Sequence, residues 1–324
     1  MNKLINKLLL SILSLSLSAI LLGTVTFAWI TMSNTGVADG LVLNVNTGED
    51  LQISLDGISY YNKLPGELIA EQLTNLQMED VTSINGVTFK SGGPTGVGVA
   101  VPNRNYVSVT LWFRTTAAER FVYLVDNVSN SVEYDTGRDG TFVVSLGRSW
   151  KADMTFVNGA DVINDVVTEG TRLTYYASKA VRIAFVEQVN SENIYDTRLF
   201  SSLKKVIIDP SADPLRGYGV SYGALDYISQ RMGRIIEAPA EKPATVYELT
   251  EFSPNNPYIP VSNNSQIMEL MVSDQKDSKD QTYYVGKVTM NIWLEGWDAD
   301  CFDAILNDVI RIQLKFRAGK SITN

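Results

Sequence analysis

The sequence predicts a mainly β protein: an antiparallel two-layer β-sandwich of jelly-roll type, with a few short helices, behind an N-terminal hydrophobic export helix. Three observations carry that expectation. Apolar and polar residues alternate with a period of two over Tyr106–Arg114, Tyr283–Glu295 and Ile310–Arg317, and alternation of this kind marks strands with one buried face. Seven of the ten prolines fall between residues 209 and 264, where proline's missing donor argues against sheet interior. Lys3 and Lys7 precede an uncharged run from Leu8 to Met32, and a basic start before an apolar middle is the order of an export segment.

That run has two readings. Leu8 to Ile30 is 23 residues. As a helix it is about 35 Å long, enough to cross a bilayer core of about 30 Å. Thr26 and Ala28 stand where the −3 and −1 residues of a cleavage site would be. Cleavage after Ala28 leaves a secreted or cell-surface chain starting at Trp29; retention leaves a membrane anchor through residues 8–30. Residues 1–28 are therefore signal or anchor, and residues 29–324 the β-sandwich domain, with a Pro-rich insertion at about 209–264.

Composition narrows the function classes. The chain carries 36 acidic and 27 basic residues, a net charge of −9, so nucleic acid is not an expected partner. Its single cysteine, Cys301, forbids an internal disulfide. It has no histidine, which removes Ser-His-Asp and Cys-His nucleophile systems and histidine zinc sites. The expectation is a protein that is not an enzyme.

Taken in order, Leu41, Leu43 and Val45, then Leu51, Ile53 and Leu55, alternate with polar residues about the turn Thr47–Asp50, which predicts a hairpin. Pro65-Gly66 introduces a short helix over Glu67–Met78. Gly92–Gly98 lacks the Lys-Ser/Thr pair and the strand–loop–helix setting of a phosphate cradle, and reads as a surface loop. Strands follow at Tyr106–Arg114, Phe121–Val125 and Thr141–Leu146. Leu173, Val181, Ile183 and Phe185 are expected inside, with Arg182 and Glu187 outside. The Pro-rich segment holds one short helix near Ala224–Arg234. In Tyr283–Glu295 the row Val288, Met290, Ile292 and Leu294 faces in, as does Ile310, Ile312, Leu314 and Phe316 in the closing strand.

Few residues point to chemistry. Asp298, Asp300 and Asp303 beside Glu295 offer oxygen ligands for a hard cation such as calcium, but lack the glycine turn and distant Glu of an EF-type loop. Alternatively, Asp298 or Asp300 caps a short helix over Cys301–Leu306. A glycosidase pair would need two carboxyls facing across a cleft, which neighbours on one turn rarely provide. Trp112 and Trp293 lie on the outward phase of their strands. They are either covered by a second layer or form a contact surface for another subunit or a carbohydrate. Trp29 and Ile30 begin an uncharged stretch to Val37 that could pair with a neighbour's sheet edge.

Thr26-Phe27-Ala28-Trp29 closing the apolar run, with a first strand about a dozen residues later, resembles the TasA and camelysin type of exported Gram-positive surface protein. The resemblance covers roughly residues 1–55. Ala180–Phe185 and Ile292–Asp298 resemble segments of uncharacterised surface proteins with similar signals. The family resemblance implies removal of the signal by a dedicated peptidase, a jelly-roll-like body, and a role as a structural or adhesive subunit of extracellular matrix fibres in biofilms. It implies self-association or other cell-surface proteins as partners, and no cofactor. The alternative is a monomeric secreted module that binds a glycan or calcium.

Overall fold

The computed structural model describes residues 37–45, 51–73, 76–94, 96, 98–135 and 137–322. Ala28, Trp29 and Ile30, and with them the export segment and its cleavage, lie outside the described residues. In chain order the strands begin with β1 (Val37–Val45), β2 (Gln52–Ser54), β3 (Asp80–Thr82), β4 (Lys90–Ser91), β5 (Val107–Thr115) and β6 (Phe121–Leu124). Next come β7 (Phe142–Ser145), β8 (Arg148–Lys151), β9 (Phe156–Val157), β10 (Val166–Val167), β11 (Arg172–Tyr175) and β12 (Val181–Gln188). The last six are β13 (Lys205–Ile208), β14 (Thr245–Val246), β15 (Gln266–Glu269), β16 (Met271–Lys276), β17 (Thr282–Glu295) and β18 (Val309–Gly319). Among the described residues two α-helices interrupt them, α1 (Gly66–Gln72) and α2 (Ala224–Met232).

The protein is mainly β, built on two large sheets. One has five strands in the order β1-β18-β6-β15, with β7 also on β18; the other has nine, running β14-β13-β12-β17-β3-β4, with β16 and β5 on β17 and β2 on β5. β9/β10 and β8/β11 form two small sheets. β17 is the spine of the larger sheet. It is 14 residues long and pairs with β12 along one edge and β5 along the other. Its inner row, Val288, Met290, Ile292 and Leu294, is completely buried and shares one core with Ile310, Ile312, Leu314 and Phe316 of β18. Phe316 packs edge-on against Phe113 of β5 and Phe185 of β12, at 5.0 and 5.8 Å between ring centres. Each large apolar side chain buried in this way contributes about 1.5–3 kcal/mol.

Several local expectations change on folding. The hairpin over residues 41–55 does not form: β1 pairs with β18, and β2 with β5. Alternation specifies which face of a strand is buried but not which strand lies beside it. The sheets are mixed rather than antiparallel, since β1/β18, β3/β17 and β13/β14 are parallel. α1 stops at Gln72, well before Met78. Leu173, expected inside, is 41 % exposed because β11 pairs only with β8. Arg182 and Glu187, expected outside, are buried. The outer face of β12 and β17 is covered by a second, smaller core of Val81, Phe89, Ala100, Tyr106, Ala184, Ile207 and Trp293.

The glycine run is not a loose loop either. Gly92 and Gly93 are buried, and a Cβ on Gly93 would stand 2.0 Å from the carbonyl oxygen of Gly296. Backbone lies on backbone there, which only glycine permits. The Pro-rich segment is integrated with the body. β14 adds a strand to β13, α2 falls where the sequence placed it, and the described residues all belong to one compact unit. Among the described residues, no helix is long and apolar enough to cross a membrane.

Candidate functional site

The densest charge in the interior gathers around Arg182. β12 carries it opposite Trp293 of β17, on the face roofed by the second core. Its guanidinium meets Asp298, in the turn after β17, through a very short hydrogen bond, and lies 2.9 Å from Asp209 Oδ2, just past β13. That second contact falls outside hydrogen-bonding geometry, so Asp209 Oδ2 is held by charge alone. Nearby, buried Glu295 accepts the indole N–H of Trp293 at 2.9 Å and the backbone N–H of Trp297 at 3.2 Å.

Two carboxyls thus contact one guanidinium, and a third, Glu295, is buried close enough to feel its charge. Burial raises the pKa values of Glu295 and Asp209, though Arg182 pulls each down. Burial pushes Asp298 up to about 8, against the same pull. Burial works against the charge on Arg182, but Asp298 and Asp209 outweigh it, and the guanidinium is held protonated. Carboxyls outnumbering the cation in low dielectric retain protons rather than all ionise.

The other two aspartates of the expected cation site go elsewhere. Asp300 is paired with Arg216: Nε lies 3.0 Å from both carboxylate oxygens, and Nη2 lies 2.7 Å from Oδ1. Arg216 also donates to the Asn158 carbonyl at 2.6 Å. Asp303 meets Arg231 of α2 at 2.6 Å, and Asp153 joins the same guanidinium at 3.1 Å. Aspartates adjacent in sequence therefore bind three arginines from three segments. Among the described residues, no group of three or more His, Cys, Asp or Glu side chains is arranged to hold a metal ion.

The capping alternative also changes. Only a 3₁₀ turn, Asp303–Ile305, forms there, with Phe302 before it and no side-chain cap; Asp298 Oδ1 instead accepts the N–H of Asp300 at 2.9 Å. The arrangement fastens the 298–303 turn to the Pro-rich segment. The sequence did contain a signal for Arg182. Val181-Arg182-Ile183-Ala184-Phe185-Val186 is almost continuously apolar, the pattern of a strand buried on both faces.

The two tryptophans assigned to a contact surface separate. Trp293 is completely buried, its ring 5.2 Å from Phe89, so it belongs to the second core and not to a surface. Trp112 is half-buried. Gly57 packs against its pyrrole edge, where an added Cβ would lie 3.2 Å from Nε1, and Lys287 Nζ sits 4.9 Å from the ring. With Tyr60, Asn193 and Gln275 it lines a cavity of about 20 Å³, room for one water rather than a sugar ring.

The remaining candidate is the edge strand β1. Ala38 to Val45 runs parallel to Ile310–Phe316 with an irregularity between Ala38 and Leu41. Leu41 and Leu43 are buried in the main core, and Leu64 donates to the Leu43 carbonyl at 3.2 Å from the other side. β1 thus ends the five-stranded sheet and directly follows the stretch proposed to be freed by export. No family model, curated protein or solved structure matches this chain.

Proposed function

We propose that this chain is an exported cell-surface structural or adhesive protein whose subunits join by exchanging the N-terminal strand. The observation that carries the reading is the place of β1: an edge strand, laid parallel on β18, continuous with the uncharged stretch from Trp29. A strand at an edge leaves its sheet at lower cost than an internal one, and the slot it vacates accepts the same strand from another copy. Leu41 and Leu43 supply the apolar anchors of that exchange, with Trp29 and Ile30 extending it. Repetition head to tail gives an open filament. The main core shared by the two large sheets supports a sandwich body of jelly-roll type, built for packing rather than catalysis. The glycan or calcium module draws less support, because Trp293 is internal and the three aspartates are engaged by arginines.

Val42 and Gln313 are paired in register and half-exposed, so a Val42→Cys/Gln313→Cys variant reports whose β18 each β1 occupies. After assembly and oxidation, a ladder of covalent oligomers is expected on a non-reducing gel. Cross-linked monomers alone, from protein at assembly concentration, would overturn strand exchange.

A further inference from the structure

Helix α2 ends on Gly233, whose φ of +61° is the left-handed turn that glycine accepts most readily. The chain then enters the least secured stretch of the Pro-rich segment. No residue from Arg231 to Ala244 is buried. From Glu237 to Pro243 no backbone hydrogen bond holds the chain, and β14 resumes the sheet only at Thr245. Arg234-Ile235-Ile236 stands at the start of this stretch. Arg234 is exposed and engages no carboxylate, and Ile235, at 90 %, is the most exposed large apolar side chain among the described residues. Instead of resting on packed core, these three residues line a cavity of about 420 Å³ with Leu225, Ser229 and Gln230 of α2.

A protease cleft binds several residues in extended form, so its target must straighten without unpicking a sheet or a core. Straightening here releases three hydrogen bonds at a helix end. Gly233 N–H donates to the Gln230 carbonyl at 3.1 Å, Arg234 N–H to the Ser229 carbonyl at 3.2 Å, and Ile236 N–H to Ser229 Oγ at 3.1 Å. Comparable bonds are guarded. Lys242 is followed by Pro243, whose ring and missing N–H spoil the far side of a cleft. Arg231 is tied to Asp303 and Asp153. The Arg138 carbonyl accepts Gln313 Nε2 at 2.9 Å, and the Lys279 N–H is held by Asp277 Oδ1 at 2.8 Å in a tight turn. A bared basic bond beside guarded ones is the pattern of controlled cutting.

We propose that the Arg234–Ile235 peptide bond is a processing site, cut by a serine protease whose specificity pocket holds a carboxylate for the arginine. Water adds across the bond. Its hydroxyl goes to the Arg234 carbonyl carbon, leaving a carboxylate, and its proton to the Ile235 nitrogen, leaving an amine. The two pieces stay together, because β17 remains paired with β12 and β5, and β18 with β6 and β7, across the cut. The site is independent of strand exchange at β1 and of export, and stands or falls without them.

The test exposes the full chain, in mild detergent, to trypsin at a low enzyme ratio, and reads the products by mass and N-terminal sequencing. Cuts at Lys3 and Lys7 aside, the first product is expected to begin at Ile235. The two pieces should co-elute on size exclusion and keep the near-ultraviolet circular dichroism of the uncut chain. Arg234→Gln should remove the cut and leave the melting temperature unchanged. Ser229→Ala, which frees the Ile236 N–H, should speed the cut about fivefold, since cutting follows the population of the opened segment. A first cut elsewhere among the described residues would overturn the proposal. So would an Arg234→Gln chain cut at the wild-type rate, or pieces that part on size exclusion.

Discussion

Arg182 shows how much of this fold rests on one buried cation. Replacing it with Met would leave Asp298 and Asp209 facing each other without a counter-ion, and a loss of about 3–5 kcal/mol is expected, read from urea unfolding. The same cluster sets a pH dependence. Burial pushes Asp298 from an ordinary 3.8 up to about 8, so the folded state holds a proton that the unfolded chain releases. Its contribution is complete below the ordinary value and is lost as pH rises through the folded value. Stability should therefore fall between about pH 4 and pH 8, by up to about 1.4 kcal/mol per pH unit from this group, and the melting temperature should fall with it. Asp298→Asn, which has no proton to lose, should flatten the profile. A wild-type curve that is flat or rises over that interval would refute the assignment.

At the scale of elements, the Pro-rich segment is held by its approach to the turn after β17. Gly223, with φ of +65°, precedes α2; its N–H bonds to Val157 at 2.9 Å, and the next N–H bonds to Ala299 at 2.8 Å. A Cβ there would stand 2.3 Å from the Ala299 carbonyl oxygen. Gly223→Ala is expected to cost about 3 kcal/mol through strain and steric overlap together. It should also raise protease cutting within 209–264, checked by limited proteolysis of the variant beside wild type. The sequence foretold α2 and the inner rows of β5, β17 and β18, because periodicity reports a solvent boundary directly. Pairing was not legible: Thr47–Asp50 has turn chemistry, yet β1 finds β18 rather than β2. Nor was the site. The spacing of Asp298, Asp300 and Asp303 looked like one ligand set, but their partners Arg182, Arg216 and Arg231 are distant in sequence and approach only after folding.

For the whole molecule, β18 is the strand on which the five-stranded sheet depends, since β1, β6 and β7 all hydrogen-bond to it. A chain ending before Val309 should keep neither near-ultraviolet circular dichroism nor resistance to protease. Native-like values for both in such a truncation would show that β18 is dispensable. The parallel pairing of the first and last described strands also has a meaning in time. Joining β1 to β18 closes a loop from residue 45 to residue 309, at an entropic cost of roughly 5 kcal/mol, and long-range pairing of this kind is slow. If the proposed export holds, a chain moving amino end first through the channel presents β1 long before β18 has crossed. During that delay Leu41 and Leu43 have nowhere of their own to go. On the proposed strand exchange, the choice between folding alone and joining a neighbour is then set by how crowded the exit is while the rest of the chain arrives.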